Sequence, residues 1–88
     1  MISENVIVMS KQGLHARPAK QLVKECKKFK SKIFVCSGEK RINAKSILDV
    51  LESGIGKGEE IRVECTGEDE EEACAVIVSK IEEGLGDV

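Results

Sequence analysis

The sequence predicts an α+β fold, an open-faced β-sandwich in which a four-stranded, mostly antiparallel sheet carries three helices on one face. Hydrophobic patterns along the 88 residues give the element order β-α-β-β-α-β-α. The two longer helices each have a single apolar face, so both must lie on the same side of the sheet and leave its other side to solvent. A chain this short builds one core, and we expect residues 1–88 to form a single domain.

The first strand and the first helix are predicted as follows. Residues 5–9 (NVIVM) are a short apolar run typical of a strand, and SKQG at 10–13 ends it. Helical periodicity begins at Pro18, the chain's only proline, which a helix tolerates in its first turn. One apolar face of that helix is predicted to contain Ala19, Leu22, Val23, Cys26 and Phe29.

A hairpin and a short helix follow. The β-branched and aromatic segment 32–37 predicts a strand that turns through SGEK into a return strand at 41–43. SILDVLESG (46–54) predicts a short helix with Ser46 as N-cap, Asp49 completing a capping box, and Gly54 as C-cap.

The last two elements complete the predicted sheet and its helical layer. In the strand 60–66 apolar and polar residues alternate, which places Ile61, Val63 and Cys65 inward. The final helix is predicted to start at Asp69, because acidic residues suit a helix N-terminus. Its apolar face would contain Cys74, Ile77, Val78, Ile81 and Leu85.

Composition argues against several functional classes. Two Phe, with no Trp or Tyr, provide few stacking platforms for nucleic acid. No apolar run approaches membrane-spanning length, and the N-terminus lacks a secretory pattern, so we expect a cytoplasmic protein without membrane insertion. The four cysteines, Cys26, Cys36, Cys65 and Cys74, lack C-x-x-C spacing. They are predicted to be reduced core residues, and no ligand spacing supports a metal carrier or a bound metal.

Charge divides the chain sharply. Residues 11–45 contain eleven Lys or Arg and two Glu, whereas residues 46–88 contain three basic and thirteen acidic residues. Part of this asymmetry is expected from two oppositely charged solvated faces. The other interpretation is a surface built for an anionic ligand or partner.

The chain's only histidine, His15, lies in GLHARPAK (13–20), at or just before the start of the first long helix. A helix N-terminus presents unpaired N–H groups that favour an anion, and Arg17 adds a planar fork of donors suited to phosphate. Lys20, Lys24 and Lys27 extend a basic stripe along the helix. His15 is therefore a candidate nucleophile beside an anion site. The alternative, an ordinary surface histidine at a helix cap, stays open on these residues alone.

The short helix raises two further questions. Ser46 satisfies a capping box, and the alternative is a phosphorylation target, although Asp49 would repel the added phosphate. Ile47, Leu48 and Leu51 exceed what one narrow core stripe needs, so either all three lie in the core or some form an exposed partner patch. GIGKG (54–58) lacks phosphate-loop spacing and precedes a strand, which indicates a turn. No carboxylate pair or catalytic triad indicates a hydrolase.

Two separated motifs, GLHARPA (13–19) and INAKSILDVLESGIGKGEEI (42–61), together with the element order, resemble the HPr family. Its members are small histidine-containing phosphocarriers of the bacterial phosphoenolpyruvate-dependent sugar phosphotransferase system. The resemblance covers essentially the whole chain and implies a monomeric carrier without a cofactor, and not an enzyme. His15 would accept a phosphoryl group on Nδ1 from phosphorylated enzyme I and pass it to sugar-specific IIA proteins or domains.

The resemblance also implies roles for other residues. Arg17 and the backbone amides of Ala16 and Arg17 would hold the phosphate. Ser46 matches a serine phosphorylated in some members by HPr kinase/phosphorylase, a form that joins a catabolite-control regulator. The partner interface would contain an apolar surface with a basic rim: Ala16, Ile47, Leu48 and Leu51 with Lys20, Lys24, Lys27 and Lys45.

This chain departs from the family pattern at three positions. Lys20 replaces a small or hydroxyl residue, and Asp49 and Glu52 add acids near Ser46. The acids weaken the case for signalling through Ser46 more than the case for a relay through His15. An alternative function is a regulatory HPr-like module, in catabolite or nitrogen control, that acts mainly through protein–protein contacts.

Overall fold

The element order β-α-β-β-α-β-α is confirmed. The structure, a computed structural model, describes residues 1–86, so the last two residues of the predicted domain lie outside the described part. The elements are β1 (Ile2–Ile7), α1 (Ala16–Cys26), β2 (Lys32–Ser37), β3 (Lys40–Asn43), α2 (Ile47–Glu52), β4 (Glu60–Thr66) and α3 (Glu70–Glu82).

The four strands form one sheet in the order β1-β4-β2-β3, and every pairing is antiparallel. Alternate residues of the two central strands face the helices, since Ile33 and Val35 on β2 lie opposite Cys65 and Val63 on β4 and all are buried. The helices cover this face, with α3 packed on β1 and β4 and α1 packed on both α2 and α3. The predicted open-faced sandwich is confirmed.

The predicted bounds of the first strand were wrong. β1 runs from Ile2 to Ile7, because its ladder with β4 begins at the pair Ile2–Cys65 and ends at Ile7–Glu60. The prediction placed the strand on the apolar run at 5–9, but an edge strand can begin with exposed polar residues, as β1 does. Val8 lies beyond the ladder but is fully buried, and its N–H donates to the Glu59 carbonyl (3.0 Å).

Two helices end earlier than their apolar patterns suggest. α1 ends at Cys26, and Phe29 packs against the core from the following turn. α3 ends at Glu82, and Leu85 is buried beyond it. Side chains in the turn after a helix can thus extend the helix's apolar face.

The caps of α2 and α3 differ from prediction in detail. The Ser46 hydroxyl accepts from the Asp49 N–H (3.3 Å), but the Ser46 N–H donates to the Asn43 carbonyl (3.1 Å), so the reciprocal half of the capping box is absent. Ser53, not Gly54, is the C-cap. Asp69 precedes α3, and its carboxylate accepts from the Lys30 and Ser31 N–H groups at 2.9 Å and from the Ser31 hydroxyl.

All four cysteines are free and buried. Cys26, Cys65 and Cys74 lie in the core as predicted, whereas Cys36 is buried on the opposite face of the sheet, where it pairs with Arg62 on β4, so its predicted place in the core was wrong. Burial raises the pKa of Cys26 and of Cys65 to about 12. Among residues 1–86 no three His, Cys, Asp or Glu side chains cluster in a way that could hold a metal ion. Within the same residues no helix is both long and apolar enough to cross a membrane.

The solvent-facing side of the sheet holds a charge cluster around Glu64. This carboxylate is 8% exposed and accepts from Arg41 Nε (3.2 Å) and from Arg62 Nη2 (2.9 Å), while the Arg41 guanidinium stacks 3.8 Å from the Phe34 ring centroid. Desolvation raises the pKa of Glu64, but the hydrogen bonds from Arg62 and Arg41 outweigh it and hold the pKa below its usual value.

Replacing Glu64 with glutamine is expected to lower the free energy of unfolding by about 1–2 kcal/mol at neutral pH, because two arginines lose their charged partner while still half exposed to water. Since the folded-state pKa of Glu64 is lowered, its stabilisation is present above the usual value of 4.5 and is lost as the pH falls through the folded-state pKa. Denaturant unfolding at several pH values measures this. Glu60→Gln, an exposed change on the same strand, serves as control, and an equal loss in both variants would contradict the expectation.

Candidate functional site

His15 is the N-cap residue of α1, which confirms its predicted place at the helix start. Its backbone is extended (φ −124°, ψ 165°), and its carbonyl accepts the first intrahelical bond, from the Ala19 N–H at 3.3 Å. The imidazole is exposed and does not cap the helix through a side-chain hydrogen bond. The ring is therefore accessible at the positive end of the helix.

Two backbone N–H groups follow His15 without helical acceptors, those of Ala16 and Arg17. The third position of the helix is Pro18, which has no N–H, and the first helical bond is made by Ala19. Ala16 has φ +50°, a left-handed conformation that costs an alanine roughly 1–2 kcal/mol. Pro18 and Ala19 are buried and anchor this strained entry to the core. The two free donors thus lie in a fixed segment immediately beside the imidazole.

Arg17 is exposed and forms no ion pair with any of residues 1–86. The one carboxylate on α1, that of Glu25, is buried and already accepts from Gln21 (3.0 Å) and Lys28 (3.2 Å) near the other end of the helix. The Arg17 guanidinium is consequently available to an external anion, and its planar donors match phosphate oxygens.

The loop that carries His15 is docked on the segment after α2. Leu14 is buried, and its N–H donates to the Ile55 carbonyl at 3.0 Å. Gly13 has φ +68°, and a Cβ at this position would lie 2.4 Å from the Ile55 oxygen and 2.7 Å from Gly56 Cα. Only glycine fits this backbone conformation and this spacing. From the sequence, residues 10–13 are predicted only as a strand break, and this contact leaves no local signal because its partner lies about forty residues further along the chain.

A surface beside His15 combines lysines with apolar side chains. A shallow depression between α1 and α2 is lined by Lys20, Val23, Lys24, Lys27 and Ile47. Leu48 is 68% exposed and Leu51 36% exposed. We call Lys20, Lys24 and Lys27 with Ile47, Leu48 and Leu51 the α1–α2 face.

The interpretation that all three aliphatic residues of α2 lie in the core was wrong. Val50 is the fully buried side chain of this short helix, whereas Ile47 is half-buried and the two leucines project to solvent. Val50 and the half-buried Ile47 are the side chains through which α2 packs against the core, which leaves Leu48 and Leu51 exposed. An exposed apolar patch of this kind is typical of a protein-binding surface.

Two predicted site residues make local structural contacts. The Lys45 ammonium donates to the Phe29 carbonyl at 2.7 Å, just beyond the C-terminal end of α1. Ser46 is half-buried and caps α2 through its hydroxyl. The structure therefore brings His15, Ala16, Arg17 and the α1–α2 face together on adjoining elements, with Ser46 at the start of α2.

Comparison with known proteins gives consistent results. A family profile described as "PTS HPr component phosphorylation site" matches residues 2–83. The HPr-like protein Crh of Halalkalibacterium halodurans is 40% identical over 82 residues, 93% of this chain and 98% of that protein. The phosphocarrier protein HPr of Mycoplasma capricolum is 42% identical over 77 residues, 88% of this chain and 86% of that protein.

A solved structure has a closely similar fold. HPr of Thermoanaerobacter tengcongensis superposes with a TM-score of 0.94 at 38% identity, covering 100% of this chain and 99% of that chain. Another structure from that organism is described as an HPr dimer and has a TM-score of 0.78 at the same identity, covering 99% of this chain and 100% of that chain.

Proposed function

The chain belongs to the HPr family, whose members are phosphocarrier proteins and not catalytic enzymes, and from this premise we propose that it carries a phosphoryl group on His15. The observation that carries the proposal is the exposed imidazole of His15 beside two free N–H groups and an Arg17 that forms no ion pair with any of residues 1–86. The donor is phosphorylated enzyme I, and the acceptors are sugar-specific IIA proteins or domains of the phosphotransferase system.

The transfer is a displacement at phosphorus. A ring nitrogen of His15, Nδ1 in the proposal, attacks as the bond between phosphorus and its donor group breaks, and the reverse displacement hands the group to the next acceptor. The N–H groups of Ala16 and Arg17 and the Arg17 guanidinium stabilise the phosphate oxygens. The P–N bond to His15 is labile, and hydrogen bonds from the helix start stabilise the phosphate oxygens without adding a further bond to phosphorus, which suits a carrier that must release the group again.

The α1–α2 face is the proposed docking surface for both partners. Its lysines attract acidic surfaces and raise the rate of encounter, while Ile47, Leu48 and Leu51 provide apolar contact. Ala16 adjoins this surface at the start of α1, and Lys45 belongs to it in the proposal despite its contact with Phe29. In this proposal residues 1–88 form one carrier domain that acts as a monomer in the cytoplasm. Light scattering during gel filtration measures the molar mass in solution and so tests whether the protein is a monomer.

Replacing Leu48 with alanine is expected to raise the KM for phosphorylation by enzyme I roughly fivefold, because central apolar side chains dominate small interfaces. The melting temperature should stay unchanged, since Leu48 is 68% exposed. Ile7→Ala, a 49% exposed aliphatic change on β1, is the matched control and should leave KM unaltered. Equal KM values for both variants would remove Leu48 from the docking surface.

The function is tested by incubating the purified protein with enzyme I and phosphoenolpyruvate. Intact-mass spectrometry should show the gain of one phosphoryl group, labile to acid and heat as a phosphoramidate is. Absence of any gain under conditions that label an established HPr would overturn the proposal.

A regulatory role is the second candidate, favoured by the 40% identity to Crh and by Ser46 at the start of α2 beside the exposed leucines. In this role HPr kinase/phosphorylase modifies the Ser46 hydroxyl, and the product binds a catabolite-control regulator. The added charge would face Asp49 one turn away, which opposes it. An ATP-dependent kinase assay decides: label on the wild type but not on Ser46→Ala supports this role, and equal label on both removes it.

A further inference from the structure

Two buried serines flank the loop that carries His15, and the proposed phosphate site uses neither. Ser10 is fully buried and Ser53 is 6% exposed. Burying a hydroxyl costs free energy unless it is hydrogen-bonded, so the partners of these groups show what they hold in place.

Ser10 closes the turn that leads into His15. Its hydroxyl donates to the Gly13 carbonyl at 2.6 Å, and its own carbonyl accepts from the Gly13 N–H at 3.0 Å. The turn is thus fixed by a side-chain and a backbone bond to the same residue. Gly13 lies two residues before His15, so the orientation of its peptide directs the path of the chain into α1.

Ser53 fixes the segment on which that loop rests. Its hydroxyl donates to the Val50 carbonyl at 2.7 Å and accepts from the Ile55 N–H at 3.3 Å. The Val50 carbonyl also accepts from the Ser53 N–H at 3.2 Å, so the end of α2 keeps a backbone bond without the hydroxyl. The distinct contribution of the hydroxyl is therefore to tie Ile55 to the last turn of α2.

The two segments meet directly before His15. The Leu14 N–H donates to the Ile55 carbonyl, and Gly13 packs so closely on Ile55 and Gly56 that no Cβ fits between them. A shift of either the Ser10 turn or the Ile55 segment must therefore move Leu14, and with it the imidazole relative to the N–H groups of Ala16 and Arg17.

We propose that Ser10 and Ser53 are positioning residues that align His15 for phosphoryl transfer. This inference rests on the proposed function and assigns part of its rate to side chains that never contact phosphate. Displacement at phosphorus needs a close and in-line nucleophile, so a small displacement lowers the rate of transfer. Docking of enzyme I on the α1–α2 face does not need the same alignment. The loss of activity is therefore confined to kcat, and KM is unaffected.

The test compares Ser10→Ala and Ser53→Ala with wild type in phosphorylation by enzyme I and phosphoenolpyruvate. Each variant is expected to lower kcat roughly tenfold and to leave KM within about twofold. Exchange of the Leu14 amide hydrogen, followed by NMR, should accelerate in both. Ser31→Ala is the matched control, because Ser31 is equally buried but bonds Asp69 beyond the opposite end of α1.

Ser31→Ala should lose stability while kcat stays at the wild-type value. If Ser10→Ala does not fold, Ser10→Cys replaces it, since a thiol of similar shape is a weak donor and should also lower kcat. Wild-type kcat in both Ser10 and Ser53 variants, with only a stability loss like that of Ser31→Ala, would overturn this inference alone. Failure to label the wild type would instead overturn the proposed function.

Discussion

His15→Ala is expected to accept no phosphoryl group from enzyme I, whereas the wild type gains one. The effect is complete because His15 is the chain's only histidine, and its ring lies at the start of α1, where the phosphate site is proposed. The variant should fold normally, since the His15 side chain is exposed and caps the helix only through its backbone. Circular dichroism and melting temperature check the fold, and intact mass checks the label.

A control variant separates loss of the acceptor from loss of phosphate binding. Arg17→Ala keeps the imidazole and should still become labelled, but roughly a hundredfold more slowly. The rate falls because the variant lacks one preorganised hydrogen-bond donor to the charge that develops on the phosphate oxygens during transfer. Full labelling of His15→Ala would show that another side chain accepts the group, and the proposed role of His15 would be wrong.

Gly13→Ala is expected to be the most destabilising small substitution near the site, with a loss of about 3 kcal/mol or more in unfolding free energy. A left-handed φ costs alanine roughly 1–2 kcal/mol, and the new Cβ would overlap the Ile55 oxygen at 2.4 Å. Backbone atoms on both sides leave little room for relaxation. Because the same contact holds the His15 loop, phosphorylation should slow as well.

Gly38→Ala isolates the steric part of this effect. Gly38 has φ +60°, close to the +68° of Gly13, but nothing lies within 4 Å of a Cβ built there. The Gly38→Ala variant should therefore lose only about 1 kcal/mol of unfolding free energy and keep the wild-type rate of phosphorylation. Equal losses in the two variants, measured by denaturant unfolding, would mean that the contact with Ile55 has no energetic weight.

The elements of the fold were predictable where local patterns decide them. Ile61, Val63 and Cys65 alternate inward as expected, because one face of β4 packs in the core and the other carries polar side chains. The position of His15 followed equally from a local rule, since proline is tolerated only in the first turn of a helix. The predicted bounds of β1 were wrong because the length of this strand depends on its pairing with β4, which no local pattern reveals.

The candidate site divides in the same way. Arg17 and the basic stripe of α1 could be read directly from their helical spacing. Which aliphatic side chain of α2 enters the core could not, because Val50 and Leu51 are alike in sequence and only tertiary packing separates them. Ser10 and Ser53 gave no signal either, since each matters through a contact between segments forty residues apart.

NMR of the ¹⁵N-labelled protein before and after phosphorylation tests most directly whether His15 carries the phosphoryl group. With one histidine in the chain, a single imidazole is observed. The proposal predicts a shift of one ring nitrogen with coupling to phosphorus, together with shifts of the Ala16 and Arg17 amides. An unchanged imidazole in a protein that has gained a phosphoryl group would contradict it.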